Sequence, residues 1–90
     1  MVEVEIGIVN DFFARPVVAG IILTAPLKAG DKIHIKGHTT DLTMIVDSMQ
    51  INNVVVQEAK SGDAVGIKVT DRLRRGDIVY KVTDQDVSSL

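Results

Sequence analysis

Apolar and polar residues alternate with a period of two along most of the chain, the pattern of half-buried β-strands. Val2, Val4, Ile6 and Ile8 fall on one face of a first strand, and Asn10-Asp11 ends it. Pro16 opens a second strand over Val17 to Thr24, where a missing N–H is tolerated. Ala25 to Gly30 turns the chain into a third strand, Lys32 to Lys36, with Ile33 and Ile35 on one face and Lys32, His34 and Lys36 on the other. A polar loop, Gly37 to Thr40, follows. Leu42 to Ile51 reads as one strand or two short ones, continued briefly by Val54 to Val56. Ala64 to Val69 and Ile78 to Val82 complete the set. Asp71 to Arg75 reads as a single helical turn or an irregular loop.

Glycine followed by aspartate recurs at Gly30-Asp31, Gly62-Asp63 and Gly76-Asp77, and an apolar β-branched run comes after each pair. Glycine tolerates positive φ and aspartate accepts local backbone N–H groups, so each pair predicts a turn that launches a strand. Fourteen Val and ten Ile against five Leu reinforce the β reading, because branching at Cβ suits a pleated surface. Short strands at regular spacing, separated by turn signals, predict a small closed barrel of six to seven strands, which would also hide its edges. Residues 1–82 form the expected single β-barrel domain and 83–90 a polar, frayed tail.

Composition narrows the function. With no Cys, neither a disulfide framework nor a thiolate metal site can form. No apolar run approaches the ~20 residues of a spanning helix. The beginning carries Glu3 and Glu5 instead of a basic leader, so a cytoplasmic address is expected and no membrane association. A net charge of −2 and 3% aromatics disfavour a general nucleic-acid binder and a base-stacking platform.

Four blocks in order carry a resemblance: Leu27 to Gly37 with its Lys-Ala-Gly-Asp turn, Val46-Asp47-Ser48-Met49-Gln50, Glu58 to Val69, and Arg74 to Val82. Together they resemble the β-barrel that follows the GTPase domain in translation factors such as elongation factor Tu. Gly20, Gly30, Asp31, Gly37, Met49, Ala59, Gly62, Asp63, Val65, Gly66, Gly76 and Asp77 stand in the positions that carry the likeness. The resemblance implies an all-β, closed six- to seven-stranded barrel of the elongation factor Tu second-domain type. It also implies docking on RNA or a ribonucleoprotein, such as the ribosome with its ribosomal RNA, or tRNA. Ala25 and the Phe12 to Pro16 loop depart from the pattern. No Gly-x4-Gly-Lys-Ser/Thr phosphate loop is present, so neither GTP nor any other cofactor is expected.

Under that implication the candidate phosphate contacts are Lys32, His34 and Lys36 on one strand face and Arg72, Arg74 and Arg75 near a turn. The plainer reading of both groups is a solvated surface laced with Asp and Glu. Phe12 and Phe13 are candidate protein contacts, because alternation buries only one of them on a given face; a plug at the barrel end is the structural alternative. His34 and His38 lie ~13 Å apart on an extended strand, too far to share one ion. Arg75-Gly76-Asp77 spells an adhesion tripeptide but belongs to the turn series. No nucleophile or metal constellation points to an enzyme. The expected function is therefore a non-catalytic binding module docking on RNA. The alternative is a protein-interaction module that supplies a barrel in trans to another enzyme or factor, predicting an apolar patch around Phe12, Phe13 and Met44.

Overall fold

Each Gly-Asp pair builds the same turn, and the turns organise the molecule. Gly30, Gly62 and Gly76 have φ of 95°, 92° and 93°. Asp31, Asp63 and Asp77 donate their backbone N–H to the carbonyls of Lys28, Lys60 and Arg74, each at 3.1 Å. Their carboxylates in turn accept the N–H of those same residues at 2.8, 2.8 and 2.9 Å. The turn thus has its carbonyl and its amide satisfied by one residue, which is why aspartate follows glycine each time. Each turn also clasps a neighbouring chain segment. The glycine N–H donates to the carbonyl of Val46, Leu23 or Val9, and that residue's N–H donates to the aspartate carbonyl, all at 2.7–2.9 Å. Val46, Leu23 and Val9 are fully buried. The residues that precede each turn, Leu27, Ala59 and Leu73, are buried as well.

The computed structural model describes residues 2–14 and 17–83. In chain order the strands are β1 (Val2–Ala14), β2 (Val17–Leu23), β3 (Leu27–Lys28), β4 (Lys32–Lys36) and β5 (Asp41–Ile45). They continue with β6 (Met49–Ile51), β7 (Val54–Val56), β8 (Glu58–Ala59), β9 (Ala64–Lys68) and β10 (Ile78–Thr83). The described residues form no helix; Asp71 to Arg75 is irregular. Pro16 and the tail beyond Thr83 lie outside the described residues.

Eight strands join in one antiparallel sheet ordered β5-β4-β10-β1-β2-β9-β6-β7, while β3 and β8 pair separately. The all-β expectation therefore stands, but the closed barrel does not. The two end strands, β5 and β7, are not paired with each other. The free edge of β5 meets instead a hollow of about 400 Å³ lined by Met44, Ile45, Asp47, Lys68, Val69 and Thr70.

The first strand also departs from simple alternation. Asn10-Asp11 does not end it; β1 runs on to Ala14 through register shifts at Glu5/Gly7 and Val9/Asp11. An extra residue at a bulge inverts the faces that follow it. Ile6 and Gly7 are consequently both buried, Ile8 points outward, and Val2 and Val4 stay exposed. The sheet wraps one core in which Ile21, Ile33, Ile35, Met49, Ile67 and Val79 are wholly buried. Asn52 and Asn53, with φ of 52° and 66°, make the two-residue turn between β6 and β7. Positive φ at both positions is the type I′ hairpin geometry.

Candidate functional site

The pairing register shows which predicted residues share a surface. Lys32, His34 and Lys36 lie opposite Val82, Tyr80 and Ile78 of β10, on the face away from Ile33 and Ile35. His34 stands between two carboxylates. Its Nδ1 is 2.7 Å from Glu3 Oε2, and its Nε2 is 2.5 Å from Asp41 Oδ1. Both ring nitrogens donate only when the imidazole is protonated. The Asp41 bond, followed by the Glu3 bond, accordingly raises the His34 pKa above its ordinary 6.5. Lys36 reaches toward Glu3 at 4.0 Å and lies 5.8 Å from the Tyr80 ring centroid. Two of the three basic groups on this face thus have acidic partners within the molecule.

The arginines sit elsewhere. Leu73 is buried and anchors the loop, leaving Arg72, Arg74 and Arg75 exposed around it. Arg75 pairs with Asp11 at 3.4 Å. Arg72 shares a hollow with Thr39, Thr40, Asp41, Leu42 and Asp71. Asp41 therefore lies between the β4 stripe and the arginine loop, and the two groups do not merge into one uninterrupted basic surface.

The aromatic pair divides. Phe12, opposite the buried Ala19, packs against the core; Phe13, opposite Val18, points outward and is 54% exposed. Met44 also packs against the core, so the apolar patch expected around Phe12, Phe13 and Met44 reduces there to Phe13. Phe13 instead joins a groove that sequence reasoning missed. Across the outer faces of β1, β2, β9, β6 and β7 runs a row of Asp11, Gly20, Gly66, Gln50 and Val55. Beside it runs Phe13, Val18 and Lys68. Two adjoining hollows of about 300 and 390 Å³ share Val18, Gln50 and Gly66 as lining, with Lys68 in one and Phe13 in the other. The available signal was a glycine in each of two β-branched runs, Gly20 and Gly66, which marks a bulge or a close approach.

Among the described residues no group of three or more His, Asp or Glu side chains is arranged to hold a metal ion. Nor do they contain a helix long and apolar enough to cross a membrane. The structure therefore defines a small all-β domain with an outward groove and a carboxylate-clasped histidine.

Relatives give this domain its context. No family model matches the chain. Over 79 residues it is 46% identical to an uncharacterised protease of Methanocaldococcus jannaschii, a match covering 87% of this chain and 19% of that protein. The chain thus spans about a fifth of the curated relative's length. In fold it is similar to the C-terminal domain of a putative U32 peptidase from Geobacillus thermoleovorans. The TM-score is 0.81 at 16% identity, with 87% of this chain and 91% of that one covered. The selenomethionine variant of that domain gives a TM-score of 0.80 at 15% identity, covering 84% and 96%. These findings overturn the translation-factor assignment: the likeness lies with a protease and with a peptidase C-terminal domain, not with the elongation factor Tu barrel.

Proposed function

We propose that this chain is a non-catalytic accessory module of a peptidase, supplying a protein-contacting β-domain beside catalytic machinery carried elsewhere. The observation that carries this reading is its 46% identity to a fifth of a protease. The fold likeness to a peptidase's C-terminal domain supports it. The surface fits the same role, because Phe13, Val55 and the groove between them face outward without a described partner.

The test uses the M. jannaschii relative with its matching segment deleted. This chain, added in trans, should form a complex with the truncated protein in sedimentation velocity. It should also lower the KM for a denatured protein substrate while leaving kcat within about twofold. No complex at 50–100 µM (roughly 50- to 100-fold above a micromolar Kd) would defeat the proposal. Salt-sensitive co-sedimentation with ribosomes, abolished by Lys32→Glu and Arg72→Glu, would instead favour docking on RNA.

A further inference from the structure

The seven glycines sort into three kinds, and one kind is required neither by positive φ nor by a hard steric clash. Gly30, Gly62 and Gly76 need positive φ. Gly7 and Gly37 are hemmed in, with a Cβ landing 2.8 Å from the Ile22 carbonyl oxygen and 1.9 Å from Asp77 Oδ1 respectively. Gly20 and Gly66 meet neither condition. They pair with each other across β2 and β9, and the atoms nearest to an added Cβ would lie at ordinary distances of 3.4 and 3.5 Å. Alanine fits at both, and a glycine inside a strand stabilises it less than alanine does. Gly66 lines both hollows of the groove between Phe13, Val18, Gln50 and Lys68, and Gly20 is its cross-strand neighbour.

That groove has a defined polarity. At one end Phe13 and Val18 give an apolar wall, and Ala64 extends it. At the other, Lys68 is exposed and has no described carboxylate within 4.0 Å. Among the described residues no carboxylate lines either hollow, although the chain as a whole is acidic. Asp11, the nearest acid in the row, pairs with Arg75. Ser48, Gln50, Asn52 and Asn53 supply neutral donors and acceptors along the side.

We infer that this groove holds an extended peptide segment bearing an acidic side chain, with its carboxylate on Lys68 and an apolar side chain against Phe13 and Val18. Phe13 and Lys68 stand two strands apart, ~10 Å, which an extended chain rising ~3.3 Å per residue spans in about three residues. Gly66 lets the peptide backbone approach the sheet, where it meets the side-chain amides. The inference rests on the reading of the chain as a protein-contacting module, yet it is measured on this chain alone.

The probe is a fluorescein-labelled octapeptide of alternating Leu and Glu, read by anisotropy and by amide chemical shifts. Saturable binding is expected, with shifts concentrated at Gly20, Gly66, Gln50 and Lys68. Lys68→Glu should weaken it at least tenfold, with the melting temperature retained. The double change Gly20→Ala with Gly66→Ala should weaken it about fivefold while the protein melts at the same temperature or higher. Absence of binding at 1 mM peptide, equal binding of the Leu–Lys octapeptide, or indifference to Lys68→Glu would each overturn the inference. So would preferential binding of a dodecauridylate over the peptide. Any of these results leaves association with the truncated protease untouched, so the two proposals fail separately.

Discussion

Alanine at Gly37 tests whether the third Gly-Asp turn is braced from outside its own loop. The backbone of Gly37 is not in the positive-φ region, so alanine meets no conformational objection there. The obstacle is contact. An added Cβ would lie 1.9 Å from Asp77 Oδ1 and 2.6 Å from its Cγ. To regain an ordinary separation the carboxylate must retreat by about 1.5 Å. The same carboxylate accepts the Arg74 N–H at 2.9 Å, and a retreat of that size ends the bond. A hydrogen bond to a charged acceptor contributes ~1.5–3 kcal/mol. Asp77 is only 4% exposed, so water replaces the lost partner poorly. Gly37→Ala should therefore destabilise by ~2–3 kcal/mol, or roughly 10–20 °C in Tm for a domain of this size. The decisive measurement is a double-mutant cycle in urea, followed by circular dichroism. With Asp77→Ala already made, the space beside Gly37 is vacant, and the second change should cost less than about 0.5 kcal/mol. Equal cost in both backgrounds, or a single variant within ~0.5 kcal/mol of the parent, would refute the contact mechanism.

Three further outcomes follow from the same geometry. Alanine at Gly30, Gly62 or Gly76 should cost ~1–2 kcal/mol each, from conformation alone, because nothing lies within 4 Å of the added Cβ. Urea midpoints that rise for all three would sink the turn assignment. Asn53→Gly, at φ 66°, should raise stability by about 0.5 kcal/mol by relieving the type I′ turn, and a lowered Tm would contradict this. His34 carries a pH dependence of definite sign. Its folded-state pKa is raised, so its contribution is fully present below 6.5 and is lost as pH rises through the folded value. Asp41 is 78% exposed, which keeps the effect on the ~0.2–1 kcal/mol scale of surface pairs. Urea melts from pH 5.5 to 9 should show a decline that His34→Gln removes; a parent profile rising with pH would count against the clasp.

How much of this was legible in the residues depends on the range of the interaction concerned. The Gly-Asp turns are local, with donor and acceptor three residues apart, and they stand where the sequence places them. Strands over Lys32–Lys36 and Ala64–Lys68 follow from alternation and are likewise local. The bulges of β1 are not. Whether Ile6 and Gly7 both turn inward is decided by their register against β10 and β2, which period-two counting does not register. Closure failed for a related reason, since it depends on whether β5 meets β7, a contact between the two ends of the sheet. The charge on β4 was visible as Lys32, His34 and Lys36, but its neutralisation by Glu3 required a partner 31 residues away. The groove needed Gly20 and Gly66 to be seen as cross-strand neighbours, and only the pairing of β2 with β9 brings them together.

The misassignment to translation factors has a physical cause in the turns themselves. Each unit has a buried residue, then a basic one, then any residue, glycine and aspartate, and a second buried residue two positions further on: Leu27 to Ile33, Ala59 to Val65, Leu73 to Val79. Every part of that pattern is spent on the fold. The glycine supplies positive φ, the aspartate satisfies the turn, and the flanking apolar residues pin both sides to the core. The paired backbone bonds to Val46, Leu23 and Val9 then fasten a neighbouring chain segment to the strand being launched. A sequence pattern that solves a problem of geometry recurs wherever small sheets must be folded around a scant core, whatever the domain does afterward. The residues that distinguish this chain lie outside the pattern: the Gly20–Gly66 pair, Phe13 turned outward beyond the second bulge, and Lys68 without a described carboxylate. A likeness carried by turns is thus evidence about architecture, and function has to be sought on the face that the turns leave free.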